Sequence, residues 1–326
     1  MIYRLMLLWA LLTSATVLVA QDTGPAKNDP SVPKDRDTVL RIQIFLDKHL
    51  FGPGKLDGAI GEFTYKAVVN YNYSRGHKDL YNWDHVKSAA EAEVPVIFAA
   101  YKVKADVLKY INKDLPDDPE KQSEFPYMAY RSLSELVAER FHTDESFLAK
   151  INPGKNIDAM KAGAIIVVPN IRSFKIEEVK AMQTFATDKT LAARTIVVDT
   201  VERMAAIYTP DEEMIAAFPI TPGKPQFIPT GVWKIQSMMT TPSFRYDKKF
   251  LEEGVRGDEA FHLPPGPNSP IGVIWCGLSK SGIGLHGTAQ PRTIGRTRSA
   301  GCVRLANWDA IRLPGLIRPG AKVIVK

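Results

Sequence analysis

This chain has 326 residues, of which 45% are hydrophobic and 24% are charged, and that balance excludes a disordered or fibrous protein. Its length predicts two or three domains of about 50–150 residues each. The formal net charge of +6 is small, but residues 280–326 hold nine Lys or Arg and one acidic residue, Asp309, which indicates an anionic partner or a solvated basic face.

Residues 1–20 have the pattern of a secretory signal peptide. Arg4 supplies a positive start, an apolar stretch follows, and small residues end it at Ala20. An uncleaved anchor is the alternative, although the apolar run is short for a bilayer span of about 20 residues. Residues 21–37, rich in Pro, Asp and Lys, follow as a flexible leader. We expect a secreted protein without other membrane contact, and export favours an acidic extracellular polymer over nucleic acid as its partner.

Residues 38–118 are predicted to form a small helical domain. Two helical stretches flank the turn "GPGKLDGAIG", in which glycines permit positive φ and an aspartate can bond nearby amides. The segment resembles the helical peptidoglycan-binding domain, whose turn pattern is matched by Gly54, Asp57, Gly58, Gly61 and Thr64. The alternative is a helix–turn–helix unit that packs and binds nothing.

Residues 126–171 are predicted to form a second small module, with a short strand, two helices and a final apolar strand that ends at Pro169. They resemble a LysM glycan-binding module in the helical spacing of Leu133, Leu136, Val137 and Phe141, the turn Ile151-Asn152-Pro153, and Ala162-Gly163. The sequence Tyr130-Arg131-Ser132 stands where the family usually has Gly-Asp-Thr. Glycan binding and a spacer role therefore both remain open.

Residues 191–326 are predicted to form a β-rich domain, because apolar runs of four to eight residues alternate with turn residues up to the C-terminus. The chain has two cysteines, and both lie in this domain. Cys276 belongs to the apolar run "IGVIWCGL", which indicates a buried strand. A disulfide with Cys302 is the alternative in an oxidising compartment.

His286 and Cys302 are sixteen residues apart and form a possible base and nucleophile. A thiol attacks as the thiolate, and its ordinary pKa of about 8.5 leaves it mostly protonated near neutral pH, so it needs a base such as histidine. A histidine brought alongside would form a thiolate–imidazolium pair and later give its proton to the leaving amine. Gly301 would let its own amide and that of Cys302 face an oxyanion, and Arg304 offers a fork for a carboxylate.

The string around these residues resembles the L,D-transpeptidases with a YkuD-type catalytic domain. The matching residues are His286-Gly287-Thr288, Ile294-Gly295, Ser299, Gly301-Cys302-Val303-Arg304 and the continuation "LANWDAIRL". Together with the two resemblances above, this resemblance implies a multidomain protein, in which a β-rich catalytic domain of mixed sheets and short helices follows small α-helical and α+β (LysM-like) accessory domains.

The resemblance also implies a reaction and a set of roles. Cys302 would attack a tetrapeptide stem of peptidoglycan, D-Ala would leave, and an amine would take the acyl group without any metal or organic cofactor. His286 would be the base, and the carbonyl of Gly287 would orient it. Other residues would form the oxyanion hole and bind substrate: Thr288, Ser299, Gly301 and Arg304. The second histidine of the family motif is Ala300 here.

The expected partners are thus the stem peptides and glycan of peptidoglycan, in the periplasm or cell wall. Two other functions remain possible. An L,D-carboxypeptidase would hand the acyl group to water, and a wall-binding protein would carry an inactive domain.

Overall fold

The computed structural model describes residues 31–228 and 230–326. The predicted signal peptide and most of the predicted leader lie outside these residues. The first helix begins at Arg36, with the side chain of Asp35 accepting from the amide of Thr38, so the predicted leader ends two residues earlier than expected. No helix in the two described ranges has both the length and the apolar character needed to cross a bilayer.

Three helices form the N-terminal unit: α1 (Arg36–Lys48), α2 (Glu62–Ser74) and α3 (Trp83–Glu93). The turn between α1 and α2 is organised by Gln43, whose Oε1 accepts from the amides of Asp57 (3.1 Å) and Gly58 (2.8 Å). Gly58 has φ +69°, and a Cβ there would lie 2.4 Å from the side chain of Arg36. The turn therefore requires glycine at this position.

The second unit has two antiparallel strands and three short helices: β1 (Phe98–Lys102), α4 (Pro119–Gln122), α5 (Leu133–Arg140), α6 (Glu145–Ile151) and β2 (Ile165–Pro169). β1 pairs with β2 from Phe98–Pro169 to Lys102–Ile165. This pairing differs from the prediction, which placed the first strand near Tyr130 and assigned residues 98–102 to the helical domain. Tyr130 makes only an isolated bridge to Ile111.

The C-terminal unit is built on a mixed sheet. Its strands are β3 (Thr195–Asp199), β4 (Met204–Tyr208), β5 (Met214–Pro219), β6 (Gly231–Thr240), β9 (Ile274–Leu278), β10 (Gly284–His286), β11 (Val303–Arg304) and β12 (Lys322–Val325). Their spatial order is β11-β10-β9-β6-β12-β3-β4-β5, with β10–β11 and β12–β3 parallel and the other pairs antiparallel. Helix α7 (Lys189–Ala192) precedes the sheet, and α9 (Asn307–Ala310) follows β11.

A separate excursion leaves the sheet after β6. It comprises β7 (Phe244–Tyr246), α8 (Lys248–Glu253) and β8 (Phe261–Leu263), with β7 and β8 antiparallel. The ring of Phe250 in α8 lies so close to Gly282 that a Cβ there would be 3.3 Å from it. The excursion therefore reaches the end of the sheet that carries β10.

The three units share buried surfaces. Met204, Ala206 and Ala217 of the sheet belong to the core of the helical unit, and Trp308 of α9 belongs to the core of the second unit. Polar contacts join the same units: Lys66–Glu202 at 2.8 Å, Arg203–Glu62 at 2.6 Å, and Arg312–Asp47 at 2.8 Å. The accessory units are thus docked on the sheet.

Candidate active site

Parallel pairing of β10 with β11 brings the two predicted reactive residues to one face of the sheet. Leu285 lies opposite Val303, and both pack in the core. His286 lies opposite Arg304, and Cys302 comes two residues before that arginine. Since side chains alternate across a strand, His286, Cys302 and Arg304 project from the face opposite the core.

His286 is 4% exposed, and its ring is held on two sides. Nδ1 lies 2.6 Å from the carbonyl oxygen of Gly287, and the ring stacks on Trp275 with centroids 5.7 Å apart. Because a carbonyl only accepts, Nδ1 carries the proton and Nε2 keeps its lone pair. Burial lowers the pKa of His286 to about 3, with a further lowering by Arg304 and a smaller rise from the Gly287 carbonyl.

Cys302 is partly exposed, and its thiol lies 3.6 Å from the carbonyl oxygen of Gly282, to which it donates. Burial of the sulfur raises the pKa of Cys302 to about 11, although the amide of Gly284 and the charge of Arg304 oppose that rise. Among the described residues no hydrogen bond joins this sulfur to the imidazole. Burial disfavours the charge on both groups, so the structure favours a neutral thiol and a neutral imidazole before substrate binds.

The two cysteines face opposite sides of the sheet. Cys276 pairs in register with Leu285 and is fully buried in the core, where burial raises its pKa strongly. Both cysteines are free. The disulfide alternative is therefore wrong, since alternation along β9 turns Cys276 away from Cys302.

Arg304 affects the pKa of both reactive groups. Its charge lowers the pKa of the Cys302 thiol and also that of His286. We expect Arg304→Met to raise both, so that less thiolate is present at each pH and iodoacetamide alkylates Cys302 severalfold more slowly between about pH 8 and 10. Intact mass against time measures this rate. The exposed Arg298→Met is the control, and an unchanged or faster rate in Arg304→Met would contradict the argument.

The segment before the nucleophile is fixed by Ser299, which is 2% exposed. Its Oγ donates to the carbonyl oxygen of Cys302 and accepts from the amide of Gly301 at 3.2 Å. Gly301 has φ +124°, and a Cβ on Gly223 would lie only 2.5 Å from its Cα. The Gly301 amide, predicted to serve an oxyanion hole, is therefore already satisfied within the loop, which corrects that expectation.

Two contacts that sequence reasoning missed hold this loop in place. The backbone of Thr221 pairs with that of Arg304 at 2.9 and 3.0 Å, and the amide of Ser299 donates to Pro222 at 3.0 Å. The only signal for them in the sequence is the "ITPG" turn at residues 220–223, which indicates a turn but no partner. Trp275 was also missed, since nothing in its apolar run marks it as a neighbour of His286.

Asn307 supports the segment that carries the base, and it is fully buried. Its Oδ1 accepts from the amides of Thr288 (3.2 Å) and Val273 (3.1 Å). Its Nδ2 donates to Oε1 of Glu139 (2.8 Å) in the second unit and to the carbonyl of Pro267 (3.2 Å). The sequence motif included Asn307, but only the structure shows that it positions Thr288.

Comparison with known proteins gives the same domain. A family model described as the YkuD L,D-transpeptidase catalytic domain matches residues 193–325. The YkuD protein of Bacillus licheniformis, named as an L,D-transpeptidase, is 28% identical over 192 residues, which cover 59% of this chain and 92% of that protein. The YcfS protein of Escherichia coli, named likewise, is 25% identical over 198 residues, covering 58% of this chain and 57% of that protein.

Solved structures give a more distant likeness. L,D-transpeptidase 3 from Mycobacterium tuberculosis is 16% identical, with 52% of this chain and 76% of that chain covered and a TM-score of 0.34.

Proposed function

We propose that residues 193–325, which match the model of the YkuD L,D-transpeptidase catalytic domain, transfer an acyl group from peptidoglycan stem peptides through Cys302 and His286. The observation that carries the assignment of roles is the shared face of β10 and β11. There the partly exposed thiol, the buried imidazole and Arg304 lie outside the core.

The first half-reaction acylates the thiol. The sulfur attacks the carbonyl at the L-centre of the third stem residue while Nε2 of His286 takes the thiol proton. Because the resting pair is neutral, this proton transfer accompanies bond formation and does not precede it. The bond to D-Ala then breaks, the imidazolium gives its proton to the leaving amine, and a thioester remains on Cys302.

The second half-reaction reverses these roles. His286 takes a proton from the incoming amine, which attacks the thioester and expels the sulfur as the thiol. A diamino acid of a second stem gives a 3→3 crosslink. The Gly287 carbonyl keeps the tautomer of His286 fixed through both steps, since it holds the Nδ1 proton.

Other groups bind the reacting stem. The Cys302 amide takes the oxyanion role, since Ser299 occupies the Gly301 amide. Arg304 faces the same side as the thiol and binds a stem carboxylate. Its Nε is buried and has no partner within the described part of the chain, so an anion would satisfy it. Thr288 lies two residues after His286 and contacts the substrate beside the base.

The accessory units fit the same polymer. We assign residues 36–93 as the peptidoglycan-binding-like domain and the unit closed by β1 and β2 as the LysM-like module, so that this module begins at Phe98 and not at residue 126. A secreted protein with wall-binding units holds its catalytic domain at high local substrate concentration. The signal peptide would place it in the periplasm or cell wall.

The products of the full-length protein test this function. With a disaccharide tetrapeptide as donor and acceptor, we expect free D-Ala and dimers that lack the D-Ala of the donor, measured by mass spectrometry. Trimmed monomers without dimers would favour the L,D-carboxypeptidase. A wild type that neither releases D-Ala nor gains the mass of a carbapenem on Cys302 would leave only the wall-binding protein.

A further inference from the structure

A cleft of about 460 Å³ opens where the three units meet. The helical unit contributes Phe63, the second unit contributes one side of α5 and Glu145, and the catalytic domain contributes residues 289–292, Ile294 and Arg296. Neither His286 nor Cys302 lines it. The cleft is therefore a second concave surface, distinct from the site of acyl transfer.

On the side of the cleft formed by the catalytic domain, which we call the catalytic wall, two arginines have no ion pair among the described residues. Two ion pairs hold parts of its lining: Lys55 with Asp144, and Arg131 with Asp117 at 2.8 Å. Arg292 and Arg296 are both exposed, and neither forms an ion pair with any residue that the structure describes. They are thus available to carboxylates of a ligand.

The wall of the second unit adds carboxyl groups. Glu135 accepts from the amide of Arg131, and Glu139 accepts from Tyr130 and Asn307. Glu145 is exposed and has no ion pair within residues 31–228 and 230–326, so it is the carboxylate left for a ligand. The partly exposed ring of Phe63 borders the same space, whereas Tyr130 and Trp308 are 2% and 3% exposed and lie in the core behind it. A ligand that fits this lining carries carboxylates and an amine.

The catalytic wall is joined to the nucleophile through Thr221. The Oγ1 of Thr221 accepts from the amide of Gly295 at 2.9 Å, and its backbone pairs with that of Arg304. Arg203 donates to the carbonyl of Gly295 at 2.8 Å. Phe63 packs directly against Gly295, since a Cβ added to that glycine would lie only 2.2 Å from the Phe63 ring. A ligand in the cleft is therefore held by the segment that ends at the active site.

We propose that this cleft binds a peptidoglycan strand through a stem peptide other than the one being acylated. Arg292 and Arg296 receive its carboxylates, and Glu145 receives the amine of its diamino acid. The identity of the polymer rests on the proposed function, whereas the charge and shape of the cleft do not. The cleft then holds the strand while one of its neighbouring stems reacts at Cys302.

Calorimetric titration tests the cleft without turnover. The probe is a soluble fragment of at least two disaccharide-tetrapeptide units, added to the full-length Cys302→Ala protein. Arg292→Ala/Arg296→Ala in that background should weaken binding at least tenfold, and Glu145→Gln should weaken it less. Arg298→Ala, which removes an exposed arginine of the same loop outside the cleft, is the matched control and should bind as before.

Unaltered binding in the double variant, or an equal loss in Arg298→Ala, would overturn the inference. Thermal melting of each variant separates loss of the cleft from loss of the fold. With Cys302 restored, the double variant should release D-Ala from saturating free tetrapeptide at the wild-type rate but show at least a tenfold higher KM for the oligomer. A wild type without D-Ala release would refute the proposed function, and the titration would still decide the cleft.

Discussion

Cys302→Ala should abolish release of D-Ala from a tetrapeptide donor, with a fall of about a thousandfold or more in kcat. The sulfur is the atom that forms the thioester, and no other described thiol can replace it, because Cys276 is buried on the opposite face of the sheet. Intact mass should show an acyl adduct on the wild type with substrate or a carbapenem and none on the variant.

Cys276→Ala is the matched control for that substitution. It removes a fully buried sulfur from the core, so we expect a loss of about 1 kcal/mol in the free energy of unfolding. Acylation and D-Ala release should persist at temperatures below the melting transition. An adduct on Cys302→Ala, or its loss in folded Cys276→Ala, would show that the nucleophile is assigned to the wrong cysteine.

The sequence predicts which residues form this site, but it does not predict their protonation. His286, Cys302 and Arg304 stand in a motif whose spacing fixes them at two strand ends, and β10 and β11 are formed there. Their protonation depends on burial and on one arginine opposite the histidine, and neither is encoded by local spacing. The neutral pair therefore follows only from the structure.

The hydrogen-bond partner of the Gly301 amide also could not be predicted from the sequence. Its positive φ follows from the glycine, as the sequence indicates. The partner of its amide is Ser299, two residues earlier, and whether such a hydroxyl turns inward depends on the backbone crossing at Gly223. Contacts of this kind join segments 78 residues apart, so a motif does not reveal them.

The boundary of the second unit could not be predicted for a related reason. Helices α5 and α6 are local and match their sequence pattern. The strand that closes the unit is Phe98–Lys102, separated from its partner Ile165–Pro169 by a long insertion. A five-residue strand with mixed burial carries little periodicity, and it follows a helical stretch. The sequence therefore favoured a nearer segment as the partner.

Asn307 joins these observations, because it connects the loop of the base to the second unit. Asn307→Asp keeps Oδ1 for the amides of Thr288 and Val273 but replaces the donor that faces Glu139. We expect a loss of about 3 kcal/mol or more in the free energy of unfolding near pH 8. We also expect kcat to fall, since the segment that carries His286 loses its anchor.

The loss of stability in Asn307→Asp should grow as pH rises. Burial already raises the pKa of Glu139 to about 8, and a second carboxyl group 2.8 Å away raises the pKa of the pair further in the folded state. Stability is therefore retained at pH 5, where a protonated carboxyl group can donate, and is lost as pH rises. Thermal melting at both pH values measures this change in stability.

Asn170→Asp, the same change at an exposed residue that donates to Val96, should cost less than about 1 kcal/mol at either pH. Equal losses at pH 5 and pH 8 in Asn307→Asp would contradict a carboxyl pair at this position.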